Sequence, residues 1–226
     1  GGFVRPHTIR TFITTLGILT ALVCAPAAHA TVFGQVSTAY TLRPGTTDVG
    51  GFVSVFESST LVFGQFRRGF MSIGDFGVQA GFVDPEVGDM GLALGGDVKF
   101  MLFQTGAEVP FDLALGPRFA YLDMDLLSLT SIGGSVVISR EYALAQGSLA
   151  PYAAFNMRLE NVNFDDDPAD ALSLSAATQQ YTDDGSDLEV SGIAGARWNI
   201  SELLDILGEV VFDRDIGFTL GLNFKL

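Results

Sequence analysis

Residues 216–226 read I-G-F-T-L-G-L-N-F-K-L, and the alternation is unbroken: Ile216, Phe218, Leu220, Leu222, Phe224 and Leu226 share one side, with Gly217, Thr219, Gly221, Asn223 and Lys225 on the other. Side chains on a strand alternate between faces, so this segment is a strand with one wholly apolar face. Its length of about eleven residues is roughly twice that of an average strand in a soluble domain. A tilted strand needs about that length to cross a bilayer.

Working back from this strand, the same pattern recurs between turn residues. Phe76, Val78, Ala80 and Phe82 oppose Asp75, Gly77, Gln79 and Gly81, and Leu92, Leu94, Val98, Phe100 and Leu102 oppose Asp97 and Lys99. Leu113, Leu115, Phe119 and Tyr121 oppose Asp112 and Arg118. Ala153, Phe155, Met157 and Leu159 oppose Asn156, Arg158 and Glu160, and Val190, Ala194 and Trp198 oppose Glu189, Ser191 and Arg197. Ten strands are predicted, over 32–42, 59–68, 73–83, 91–102, 111–123, 132–142, 149–160, 188–200, 206–213 and 216–226. Residues 49–57 are left unassigned, because Phe52, Val53, Val55 and Phe56 do not alternate. The expected fold is all-β, an antiparallel up-and-down transmembrane barrel of ten strands, with eight as the alternative count.

An even strand number puts both ends of the barrel domain on one side. Connections near 69–72, 103–110, 143–148 and 201–205 then lie on that side, expected to be periplasmic. The longer ones, 43–58 and 161–187, lie outside.

The beginning of the chain reads as a targeting signal. Arg5 and Arg10 precede an apolar run from Thr11 to Val23, followed by Pro26 and Ala28-His29-Ala30. A positive start, a short apolar stretch and an A-x-A site make a secretory signal peptide, with cleavage predicted after Ala30. The chain is thus divided into a signal, 1–30, and a barrel domain, 31–226. The signal holds His7, His29 and Cys24, so residues 31–226 contain neither His nor Cys. Disulfides, Cys/His zinc sites and His-based acid–base catalysis are excluded there. No residue cluster points to another catalytic chemistry or to a cofactor, and the expectation is a non-enzymatic protein.

The whole chain has 26 acidic and 12 basic residues, a net charge of -14, with 48% hydrophobic residues. Such an acidic chain is a poor partner for nucleic acid. The high apolar content argues against disorder.

These features resemble the small outer-membrane barrels of Gram-negative bacteria, of the OmpA/OmpX kind. The resemblance covers residues 31–226 and is one of architecture. It implies an outer-membrane location, contact with outer-membrane lipid, and recognition of the last strand by the barrel-assembly machinery. That strand usually ends on an aromatic residue in the family; here it ends on Leu226, and Phe224 lies two places earlier. Tyr40, Tyr121, Tyr142 and Trp198, near predicted strand ends, suggest an interfacial aromatic belt. The competing fold is a secreted, lipocalin-like binding barrel, in which the apolar face would turn inward.

With lipid outside, Asp75, Asp97, Lys99, Asp112, Arg118, Arg158, Glu160, Glu189, Arg197 and Glu209 point into the lumen, together with Lys225. Alternating signs in a narrow space pair, because an unpaired buried charge is costly. Two roles follow: an ionic filling that holds the barrel's shape, or the lining of a narrow porin-like channel for ions or small solutes. The interval 161–187 carries Asp165, Asp166, Asp167, Asp183, Asp184 and Asp187. Hard divalent cations take such carboxylates, although the full spacing of a calcium-binding helix-loop-helix is missing. A structural or surface-interaction role is the leading expectation.

Overall fold

Each wall strand repeats a two-residue rhythm of buried and exposed positions, most regularly in Ile216–Lys225. The structure, a computed structural model, describes residues 33–86, 88–106, 109–124, 127–164 and 185–226. The expected signal, with Ala28 and Ala30, lies outside the described residues. So do Asp165, Asp166, Asp167, Asp183 and Asp184 of the acidic interval.

The strands are β1 (Thr47–Val55), β2 (Ser59–Met71), β3 (Gly74–Pro85), β4 (Gly91–Phe103), β5 (Asp112–Met124) and β6 (Leu127–Ser139). They continue with the two-residue β7 (Tyr142–Ala143), then β8 (Ser148–Phe164), β9 (Gly185–Asn199), β10 (Leu204–Phe212) and β11 (Ile216–Lys225). Every wall strand pairs antiparallel with the next, β6 pairs directly with β8, and β1 closes on β11 with Val53 opposite Leu220. β7 is only a small hairpin onto the start of β8. The wall is therefore a closed antiparallel barrel of ten strands, which removes every free sheet edge. Among the described residues, no helix is long and apolar enough to cross a membrane.

The outside of the wall is apolar around its circumference. Val53, Val62, Phe82, Ile132, Leu159, Leu188, Phe218 and Leu220, from seven different strands, are all exposed. Water would penalise so large a continuous apolar surface, whereas hydrocarbon accepts it. With its backbone groups paired around the ring, the wall meets the condition for crossing a bilayer. It is a transmembrane barrel: the alternating apolar faces of its strands turn outward, the reverse of the lipocalin-like alternative.

The ten-strand count agrees with the expectation, but one strand is exchanged. Residues 33–42, expected as the first wall strand, form no strand; the segment runs inside the barrel, with Phe33–Ala39 and Thr41 buried. The unassigned residues supply β1 instead. The expected long external connection 43–58 is thus mostly strand, and only 56–58 joins β1 to β2. Alternation failed to reveal β1 because its inward set mixes Asp48, Gly50, Phe52 and Ser54. Phe52 faces inward because part of the lumen is itself apolar: it stacks on Phe63 at 5.1 Å, and Phe33 meets Phe63 edge-on at 5.1 Å.

Glycine on the inner face makes room for these rings. A Cβ at Gly95 would come within 2.7 Å of the Phe33 ring, and one at Gly221 or Gly217 would collide with Phe52 or Phe56. The wall strands and the internal segment are joined by a turn at Gly45, whose φ of 83° suits glycine. That turn is tied to β2, where Gly45 N donates to Gly69 O at 2.9 Å and Gly69 N donates to Thr46 O at 3.1 Å. This end of the barrel, which also holds Leu226, is called the termini end; the opposite one, where β8 and β9 are joined, is the loop end.

Candidate functional site

Inside the wall, a neutral segment lies among charged side chains. Residues 33–42, F-G-Q-V-S-T-A-Y-T-L, carry no charge. Lacking a strand partner, their backbone groups turn to side chains from five strands. Arg118 of β5 donates to Phe33 O at 3.2 Å and Gly34 O at 2.8 Å. Glu209 of β10 accepts from Val36 N at 2.5 Å. Ser139 of β6 accepts from Ala39 N at 3.1 Å. Lys99 of β4 donates to Thr38 O at 2.6 Å and Tyr40 O at 3.1 Å, and Asp75 of β3 accepts from Leu42 N at 2.9 Å. Cations take carbonyls and carboxylates take amides, which are the stronger, charge-assisted hydrogen bonds.

Two of these charges have no ion-pair partner within 4 Å among the described residues. Arg118 is completed by Gln35 Oε1 at 3.3 Å and Asn156 Oδ1 at 3.1 Å, both neutral. Glu209 receives the Tyr152 hydroxyl at 2.5 Å, and its second oxygen has no hydrogen-bond partner. Gly34 packs against that carboxylate where no Cβ would fit. At the same place Val36 has a φ of 41°, a left-handed conformation that a β-branched residue rarely adopts. Such strain persists only where the surroundings hold it.

The remaining lumen charges form three ion-pair clusters. Behind the segment, Arg67 bridges Asp75 and Asp97 at 2.5 Å each, and Lys99 lies 3.5 Å from Asp75. Arg67 is accommodated by Gly77, where a Cβ would collide with its guanidinium. Toward the loop end, Arg158 pairs with Glu160 at 2.5 Å and Asp213 at 2.9 Å, while Arg214 pairs with Glu189. At the termini end, Arg197 pairs with Asp48 at 2.9 Å and with Asp205, and Lys225 reaches Asp205 at 2.9 Å. Asp112 stands apart, accepting from Thr105 N at 2.6 Å in the β4–β5 connection.

The structure therefore divides the ten charges singled out from sequence into separate groups. Asp75, Asp97, Lys99, Arg118 and Glu209 surround the internal segment. Arg158, Glu160 and Glu189 lie toward the loop end, and Arg197 and Asp112 at the termini end. Asp187 sits in β9 opposite Glu160, exposed. Among the described residues, no group of three or more His, Cys, Asp or Glu side chains is placed to hold a metal ion. Arg67, Asp48, Asp205, Asp213 and Arg214 were missed. In β2, apolar residues occur on both faces, so the inward direction of Arg67 could not be read. Asp213 and Arg214 belong to a turn, which alternation does not address.

The segment also shapes the free space. A cavity of about 540 Å³ opens at the termini end, bordered by Thr38, Tyr40, Asp48, Arg197 and Lys225. A separate space of about 30 Å³, room for little more than a water molecule, lies beside Phe33, Arg118 and Arg158.

No protein-family model matches the chain, and no curated protein is similar to it in sequence. Solved structures with a similar outline include bacterial outer-membrane barrels and a de novo designed transmembrane β-barrel. The N-terminal β-barrel domain of Pseudomonas aeruginosa OprF is 12% identical, over 81% of this chain and 98% of that one, with a TM-score of 0.37. The outer membrane protease OmpT from Escherichia coli is 10% identical, over 84% and 100%, with a TM-score of 0.43. The KdgM porin is 7% identical, over 78% and 98%, with a TM-score of 0.39. At such low scores the likeness carries no argument, and the barrel rests on the strand pairing described above.

Proposed function

We propose that the chain is an integral protein of the bacterial outer membrane, non-enzymatic, with a structural or surface-interaction role and a lumen closed at rest. The observation that carries this reading is the internal segment: residues 33–42 fill the lumen, and five wall side chains hold its backbone. An open diffusion channel would leave those charges to water. The apolar outer surface, the A-x-A signal and the barrel topology support the membrane and the compartment. The absence of His and Cys from residues 31–226, together with the structural engagement of most lumen charges, supports a role without catalysis.

In this reading the surface role belongs to the loop end. The long β8–β9 strands lead to the connection 165–184, whose aspartates are candidate ligands for divalent cations. The barrel-assembly machinery is the expected partner of β11 during insertion.

Membrane fractionation combined with gel mobility before and after boiling tests the reading. A heat-shifted band in the outer-membrane fraction is the expected result, and a soluble periplasmic protein would overturn it. The purified protein should be silent in planar bilayers, and removal of residues 161–187 should abolish calcium binding while leaving the heat shift. The second reading, a narrow porin-like channel, draws on the cavity at the termini end and predicts steady conductance from the unaltered protein.

A further inference from the structure

We infer that residues 33–42 are a gate, and that their withdrawal converts the closed barrel into a hydrated, cation-preferring pore. The inference rests on the closed outer-membrane barrel proposed above and adds a second state to it.

The first ground is the kind of contact that holds the segment. Strand pairing would have built it into the wall, but none of its backbone groups joins a ladder with a wall strand. It is held by individual side chains at discrete points, and among the described residues its backbone attachment to the wall is at the hinge, where Pro44 and Gly45 bind Gly69. A segment hinged at Pro44 and Gly45 and gripped by side chains along its length can leave without breaking the sheet.

The second ground is what its departure leaves behind. Arg118 and Glu209 have neutral partners only, and the principal ones belong to the segment. Without the segment these two buried charges lose those contacts, and water entering the lumen would replace them. The alternative state is therefore a wet lumen continuous with the cavity at the termini end. The third ground is strain: Val36, at the point where Glu209 grips the backbone, stands at φ 41° and is relieved on release.

The charge balance predicts the ion. Around the segment, Arg67, Lys99 and Arg118 offset Asp75, Asp97 and Glu209. The mouth at the loop end is not balanced: connections 56–58, 86–90 and 213–215 carry Glu57, Glu86, Asp89, Asp213 and Asp215 against Arg214 alone. An acidic pore mouth concentrates cations, so potassium should pass in preference to chloride.

The test uses the full-length protein in planar bilayers under a KCl gradient. Unaltered protein is expected to stay closed. The double variant Arg118→Gln/Glu209→Gln should raise the open probability at least tenfold, with a reversal potential displaced toward that of potassium. Adding Ala39→Cys/Ser139→Cys, two positions brought together by the Ala39 N to Ser139 Oγ contact, should silence the double variant when oxidised and restore its openings on reduction. A silent double variant that still shows the heat-shifted band overturns the gate, and so do openings that persist through the cross-link. Loss of the heat shift in unaltered protein would instead defeat the barrel reading. If the double variant does not fold, Ser37→Cys in the otherwise unaltered chain decides the matter. Slow but complete labelling by a water-soluble maleimide supports withdrawal, and lasting protection in the folded barrel overturns it.

Discussion

Residues 33–42 and residues 47–55 are neighbours in sequence and similar in length, yet one fills the barrel and the other builds it. The difference lies in what each can do with its backbone. β1 presents Val49, Val53 and Val55 to lipid and finds β2 on one side and β11 on the other, so every inward residue can be small, polar or aromatic as the lumen requires. The earlier segment has Gln35, Ser37, Thr38 and Thr41, polar but uncharged, and is buried on nearly all sides. In a lumen with charges of both signs, a neutral segment with free amides and carbonyls is a better filling than one carrying its own charges. It serves both signs at once: Arg118 and Lys99 take carbonyls, while Glu209 and Asp75 take amides.

This contrast can be broken from either side. The largest effect should follow Arg67→Ala, which strands Asp75 and Asp97 in the lumen wall. Losing one member of a buried ion pair costs about 3–5 kcal/mol, and urea titration in lipid vesicles, followed by the fluorescence of Trp198, the single tryptophan, measures it. Leu220→Arg comes next, because it puts a charge on the lipid face opposite Val53 and should cost about 2–4 kcal/mol at mid-wall. An equal loss for Thr219→Arg, on the lumen face, would contradict the facing assigned here.

On the side of the internal segment the effects should be smaller and should leave the wall intact. Glu209→Ala removes the acceptor of Val36 N and Tyr152 Oη, which predicts a loss of about 1–3 kcal/mol. The heat-shifted band should persist, while a thiol at Ser37→Cys gains reactivity. The smallest change is expected for Gly45→Ala, where the left-handed turn resists a Cβ by about 1 kcal/mol. It should loosen the segment in the same thiol assay without moving the urea midpoint of the wall by more. A midpoint that follows thiol exposure in both variants would mean that segment and wall are one cooperative unit.

Most of the wall was legible in the sequence because lipid imposes a simple rule on one face of every strand. β3, β4, β5, β10 and β11 show their apolar outward set within a residue or two of the observed limits. The inner face has no such rule. It accepts Phe52 beside Gly221, Arg67 beside Gly77 and Tyr152 beside Gly195, so neither polarity nor size identifies an inward residue. That is why β1 went unassigned, and why Tyr40, grouped by sequence with an interfacial belt, belongs to the internal segment. The inward parity of the charged strands could be read, but their partners could not. Pairing depends on which residues meet across the lumen, and nothing in an alternating pattern states that Arg118 would answer to Phe33 and Gly34 rather than to a carboxylate.

The seam between β1 and β11 gives this arrangement a history as well as a shape. A closed ring admits nothing from the side, and residues 33–42 are joined through Gly45 directly to one of the two strands that complete it. The segment must therefore lie along the inner face of the growing sheet when the first and last strands meet, or be drawn in afterwards. In the first route the filling of the barrel and its closure are a single step. A chain whose segment strays would then close around water, and the order of assembly would leave its record in whether the finished barrel is sealed.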